Sequence, residues 1–289
     1  MNSNEWPLVL FTMLTQISLG LLLSGLLLAL SLKNIEFPAA ADLKKLLVSV
    51  ALGSMGIALL ISFFHLTMPV HAIYAMSNTA TSWLSREILL ASLYFFILLG
   101  CLSALQYNIP HRDLSDYLYL AALLTGLVLI WSMSRLYMIP TVPVWNSPAT
   151  MVAFFNTAVL SGGALTLLLL TLMVGRGSAF AELQRMHTVL FALIAAGVFI
   201  YLLNSLLLQP GLTTVTGSFN PALIPVWIRG GQVVFLLAGF SLLTYWYAWA
   251  QPSKTDYTNI LIYSGVVCIV VAELLGRYLF YASYYRVGV

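Results

Sequence analysis

Charge is the scarcest ingredient of this chain. Asp, Glu, Lys and Arg make up 7% of its 289 residues, against 61% hydrophobic residues, and the mean hydropathy is +0.96. A water-soluble globule of this size cannot cover itself with so few charges, so the chain reads as an integral membrane protein. The net charge of +3 is too small and too scattered for a nucleic-acid surface. Cysteine is also nearly absent. Cys101 and Cys268 lie in separate apolar runs, whereas an iron–sulfur cluster takes four thiolates, so none is expected in this chain. The four histidines, His65, His71, His111 and His187, do not supply two imidazoles at one depth on facing helices. Haem is therefore not expected, and no metal-ligand spacing is present.

What is abundant is long apolar sequence. A spanning helix needs about 20 mostly apolar residues, because no water is available in the bilayer to satisfy its backbone. Eight runs qualify: Leu8 to Ser31, Leu46 to His65, Ile88 to Leu105, Tyr117 to Met138, Met151 to Val174, Thr188 to Leu208, Ile228 to Trp249, and Ile260 to Tyr281. The expected fold is all-α, an eight-helix bundle forming one membrane domain over residues 1–289 with no extramembrane domain. The first run follows Glu5, Trp6 and Pro7 rather than a basic stretch and reads as a retained span. Spans one to four and five to eight match in number but share no motif. Small-residue sets such as Gly20, Ser24 and Gly25, or Ser161, Gly162, Gly163 and Ala164, mark close helix contact.

Basic residues orient the bundle. The loops after spans one, three, five and seven hold Lys33, Lys44, Lys45, Arg112, Arg176, Arg185 and Lys254, seven of the twelve. By the positive-inside rule those loops are cytoplasmic and both termini face outward, to the periplasm in a bacterial host. On the outward side, residues 67–86, 139–150 and 209–225 are long and rich in Pro, Asn, Ser and Trp, the kind of segment that lines a cavity or docks a partner. That side is the expected working side.

Ionisable residues at membrane depth are costly and are usually kept for a ligand, a pathway or a partner charge. His65 ends the second span and Glu87 opens the third. An imidazole and a partly desolvated carboxylate beside one apolar cavity suit the two protons released by hydroquinone oxidation. The alternatives are an interfacial histidine bonded to a loop carbonyl, and a helix N-terminal acid with Ser82 or Ser85 as cap. Arg135 closes the fourth span with Tyr137, ahead of Trp145. It either snorkels to the interface or acts as a cation that braces Glu87 or hydrogen-bonds a quinone oxygen, and Arg229 behind Trp227 has the same two readings. Glu273 and Arg277 stand four apart in the eighth span and read as a structural ion pair between helices. Phe280, Tyr281, Tyr284 and Tyr285 read as an interfacial aromatic belt. A secondary transporter is the competing class, but it calls for a midplane site in interrupted helices, whereas these ionisable residues sit near span ends.

Five motifs then occur in order along the sequence: Glu5-Trp6-Pro7-Leu8 with Phe11-Thr12; His65-Leu66 with Pro69 and Ala72; Ser82, Leu84-Ser85 and Glu87-Ile88; Thr141-Val142-Pro143 with Trp145; and Glu273-Leu274, Gly276-Arg277 and Phe280-Tyr281. Together they resemble the membrane anchor subunit of bacterial dimethyl sulfoxide reductase. The resemblance implies a subunit of the inner membrane that works beside an iron–sulfur subunit and a molybdopterin catalytic subunit in anaerobic respiration. It implies that this chain oxidises menaquinol near its outer face, holds no haem or metal, and leaves terminal reduction to its partners. Those family roles carry over onto His65 and Glu87, with Arg135, Arg229 and Trp145 as further quinol contacts. Two departures bear on loop shape and on Arg229: Thr67 stands where the family motif has glycine, and Ile228 separates Trp227 from Arg229.

Overall fold

The computed structural model describes residues 6–33, 39–64, 78–107, 112–173, 180–208, 226–250 and 256–284. Over these residues the protein is all-helical. Its helices are α1 (Trp6–Ser31), α2 (Ala40–Phe63), α3 (Trp83–Gln106), α4 (Arg112–Tyr137), α5 (Pro148–Met173), α6 (Phe180–Leu203), α7 (Val226–Tyr245) and α8 (Asp256–Ala282). Short π-helical turns, Asn204–Leu208 and Trp246–Ala250, continue α6 and α7. Eight helices are long and apolar enough to cross a membrane. They begin up to eight residues before the apolar runs, because the first turn of a spanning helix sits among head groups and tolerates Lys44, Arg86 or Asp116.

Consecutive helices run antiparallel. One end of the bundle, the entry end, gathers the starts of α1, α3, α5 and α7 with the ends of α2, α4, α6 and α8. There Trp6 meets Phe64, Trp83 meets Trp131, and Tyr137 meets Tyr281. At the opposite end Lys44 pairs with Asp116, and Thr188 bonds the Tyr247 hydroxyl at 2.9 Å.

Packing divides the protein into two four-helix halves. Within α1–α4 the contacts run α1 to α2, α2 to α3, α3 to α4 and α4 back to α1, and the same order recurs within α5–α8. The halves meet along α1 and α5, each of which also touches helices of the other half. Residues in like places carry a like offset: Tyr137 and Tyr281 are 144 apart and in contact, and Trp83 and Trp227 share that spacing. The two halves thus share one packing order although no shared motif shows it, since lipid-facing positions constrain side-chain identity only to being apolar.

The crossing of α1 and α5 has a definite cause. A Cβ on Gly20 would collide with the Ala158 carbonyl, and one on Gly162 with the backbone of Gly20. The absence of both side chains lets the two backbones touch, the small-residue contact on which membrane helices rely when no hydrophobic effect drives them together. Both helices are in consequence the most enclosed of the eight, and their polar residues face protein rather than lipid. Thr12, Thr15, Gln16 and Ser18 on α1, and Asn156, Thr157, Ser161 and Thr166 on α5, are all buried. In lipid that arrangement is tolerable only where polar groups meet one another.

Candidate functional site

Glu87 lies in the second turn of α3, about 6 Å below its first residue at 1.5 Å per residue. Ser82 caps the helix by accepting from Ser85 N at 3.3 Å, with extended backbone at φ −98°. The capping role is thereby filled, and the Glu87 carboxylate turns inward instead, leaving the residue 5% exposed. Its Oε2 finds no hydrogen-bond partner among the described residues. A carboxylate held this way is either neutral or awaiting a donor, because an isolated buried charge is too costly to keep.

The groups around Glu87 come from helices that converge at the entry end. Tyr137, the last residue of α4, and Tyr281, near the end of α8, are both buried at this same end. Tyr281 donates to the Tyr137 hydroxyl at 2.8 Å. The Tyr137 ring is enclosed edge-on by Trp145, Phe280 and Tyr281 at centroid distances of 5.5, 5.4 and 5.4 Å, with Phe154 tilted against it at 5.7 Å. Such pairs favour edge-to-face geometry because the ring edge is positive and the face negative.

Trp145 belongs to the short α4–α5 connection. Its indole stacks on Phe280 at 5.0 Å and 14°. Its Nε1 donates to the Phe280 carbonyl at 2.8 Å and to Ser283 Oγ at 3.2 Å. Indole has one donor and no acceptor, so Trp145 is committed to fastening this connection onto the end of α8. It meets the site as a wall, through its ring.

Glu273 and Arg277 lie one turn apart on α8, deeper than Tyr281 by about 12 and 6 Å along the axis. The expected pairing takes an indirect form. Thr157 Oγ1 on α5 donates to Glu273 Oε2 at 2.6 Å and accepts from Arg277 Nη2 at 3.2 Å, and the same Nη2 donates to Gln16 Oε1 on α1 at 2.7 Å. The guanidinium also lies over the Phe154 face, 3.9 Å from its centroid. A relay through Thr157 replaces direct contact because α8 packs against both α1 and α5, so its two charges face donors and acceptors on different helices. The node ties α1, α5 and α8 together at the seam between the two halves.

The remaining expectations fall into place as follows. Arg135 is half-buried, with its guanidinium carbon 5.7 Å from the Trp83 centroid. Arg86 covers the same ring at 4.3 Å while donating to the carbonyls of Thr79 and Ala80. Arg135 thus stands one ring away from the helix that carries Glu87. Arg229 is on the exposed face of the first turn of α7, in the other half. Ile228, the residue between Trp227 and Arg229, is buried at 7% exposure while Trp227 is 78% exposed. His65, which follows Phe64 in the sequence, and His71 lie outside the described residues. No group of three or more His, Cys, Asp or Glu suited to a metal occurs among the described residues.

Two features escape a reading by residue type. Tyr281, at 3% exposure, is a core residue and not part of an interfacial belt; Tyr284, 50% exposed, fits that description. Gln16 and Thr157 belong to the node without standing in any motif. A lone Gln in an otherwise apolar span is a usable signal for the first. For the second, threonine back-bonds its own helix so often that its type carries little information; here Ala153 O, at 3.0 Å, competes with Glu273 for the one hydroxyl proton.

Fold and site together define a polytopic helical membrane protein with buried polar residues gathered where α1, α5 and α8 meet. Comparison with known proteins narrows that class. A family model described as DMSO reductase anchor subunit (DmsC) matches residues 1–283, and the protein belongs to that family. It is 29% identical over 299 residues to the YnfH subunit of an anaerobic dimethyl sulfoxide reductase of Escherichia coli, an alignment that covers 99% of this sequence and 96% of the relative. It is 29% identical over 294 residues to the C subunit of anaerobic dimethyl sulfoxide reductase of the same organism, with the same coverage. The corresponding C subunit of Haemophilus influenzae is 32% identical over 168 residues, 57% of this sequence and 58% of that one.

Proposed function

We propose that this protein is the quinol-oxidising anchor of a heterotrimeric molybdopterin oxidoreductase of the bacterial inner membrane. It binds menaquinol at the entry end of the bundle, on the periplasmic side, and passes two electrons to an iron–sulfur subunit docked there. The catalytic subunit carries the molybdopterin and completes the reduction. The observation that carries this reading is the buried Glu87 carboxylate, whose Oε2 has no hydrogen-bond partner among the described residues, at the end of the bundle where α2 ends. In the proposed reaction each of the two hydroxyl O–H bonds of the quinol breaks. One proton goes to the Glu87 carboxylate, the other to the His65 imidazole, and the two electrons leave to the partner's cluster.

Family membership supports the partnership, and the physical need for proximity supports the location. A subunit with no metal-ligand group among its described residues is read here as presenting the quinol close to its partner's cluster. Arg135 and the wall formed by Trp145 border the same end, where Arg229 sits in the first turn of α7 in the second half. The transporter alternative draws no support from α1–α8, since the π-helical turns fall at helix ends and not at a shared midplane.

The test is quinol-driven reduction in membranes that contain the assembled complex. Glu87→Gln preserves shape and removes the base; the expected result is a loss of at least about a hundredfold in turnover. His65→Gln is expected to do the same. Undiminished turnover in both variants, with normal amounts of complex, refutes the assignment.

A further inference from the structure

Beyond the acid–base pair, the Tyr137–Tyr281 contact is a device of its own. The two hydroxyls carry two protons and share one hydrogen bond, in which Tyr281 is the donor. The Tyr137 proton is left without an acceptor among the described residues. Glu87 Oε2, an acceptor without a donor among those residues, is buried at the same end of the bundle, on the helix that packs against α4. An orphan donor and an orphan acceptor buried at one end of the bundle, on the packed neighbours α4 and α3, suit a group that supplies one of each. A phenolic hydroxyl does so: its proton goes to the carboxylate, and its oxygen accepts from the tyrosine.

We propose that Tyr137 donates a hydrogen bond to the quinol oxygen whose proton Glu87 removes, with Tyr281 as the residue that points the Tyr137 proton toward it. This deepens the quinol reading above and rests on it. The donor matters as the O–H bond breaks, because negative charge grows on that oxygen, and a donor already aimed at it needs no reorganisation. Tyr281 sets the direction by occupying the Tyr137 lone pair. Tyr281 is itself fixed one turn above Arg277, which Gln16 and Thr157 hold, and beside Thr12 of α1. The rings of Trp145, Phe154 and Phe280 prevent the Tyr137 ring from turning away. Tyr137 is thereby assigned contact with substrate, and Tyr281 a positioning role.

The experiment uses the assembled complex in membranes, with a water-soluble naphthoquinol as donor. A reduced viologen dye that feeds the partner subunits directly serves as the measure of assembly. Tyr137→Phe keeps the ring and its neighbours; quinol-driven kcat is expected to fall roughly tenfold to a hundredfold relative to the dye rate. Tyr281→Phe is expected to raise KM and lower kcat by a few-fold each, since Tyr137 keeps its proton but loses its direction. A quinol-driven kcat within twofold of wild type in Tyr137→Phe, while Glu87→Gln is inactive, overturns this inference and leaves the quinol site standing. Full activity in Glu87→Gln as well overturns both. Should Tyr137→Phe fail to accumulate, Tyr281→Phe decides alone, and unchanged KM and kcat there overturn the assignment.

Discussion

Replacing Thr157 with valine keeps the shape of the side chain and deletes one oxygen. That oxygen holds Glu273 Oε2 at 2.6 Å and accepts from Arg277 Nη2 at 3.2 Å, so the substitution strands a buried carboxylate oxygen and weakens the hold on a buried guanidinium. Stranding a buried polar group costs about 1–3 kcal/mol, whereas hydrogen bonds between membrane helices are worth about 0.6–1.7 kcal/mol each. Arg277 keeps Gln16, which limits its share. The combined loss is therefore about 1.5–3 kcal/mol, or roughly 3–6 °C in Tm for a protein of this length. Thermal unfolding in detergent, followed by tryptophan fluorescence, measures it. Thr166→Val is the matched control on the same helix. Thr166 is equally buried, but its Oγ1 has no partner among the described residues, so removing it is expected to be neutral or stabilising by up to about 1 kcal/mol. If the two variants shift Tm equally, the node contributes nothing beyond its buried volume and the reasoning fails.

The Gly20–Gly162 crossing predicts that Gly162→Val prevents normal accumulation of the protein in membranes, since the added side chain meets backbone that cannot yield; immunoblotting against an epitope tag reads this out, and wild-type levels would contradict it. Trp145→Phe keeps the stack on Phe280 and loses the bonds from Nε1 to Phe280 O and Ser283 Oγ. It is expected to destabilise by about 1–2 kcal/mol and to expose the 138–147 connection to limited proteolysis without changing the affinity for a quinone analogue. A large affinity loss with unchanged proteolysis would make Trp145 a direct hydrogen-bond donor to the ligand.

How far the sequence could be read depended on the bilayer. Eight spans and their order are legible because spanning a membrane demands length and apolarity and little else. The Gly20 and Gly162 contacts are legible for a related reason, since small residues have one dominant use between membrane helices. Glu87 stands out because a carboxylate in a span is expensive. The pairing of the two halves is not legible: residues 144 apart that meet, Tyr137 and Tyr281, differ in no way from belt tyrosines until helix ends are placed in space. The link between Glu273 and Arg277 is similarly hidden. Their i,i+4 spacing reads as a pair along one helix, but the partners that decide the geometry, Gln16 and Thr157, lie 261 and 120 residues from Arg277. Trp145 shows the same limit from the other side, for its motif suggests a ligand contact while its one donor is spent on the fold.

The central claim places a quinol beside Glu87 at the entry end, and photolabelling tests it most directly. A photoreactive naphthoquinone added to the assembled complex and mapped by mass spectrometry is expected to label α3 near Glu87 and the end of α4 near Tyr137, with labelling abolished by excess unlabelled quinone. Competable label confined to the opposite end of the bundle, around Lys44, Asp116 or His187, would contradict the account.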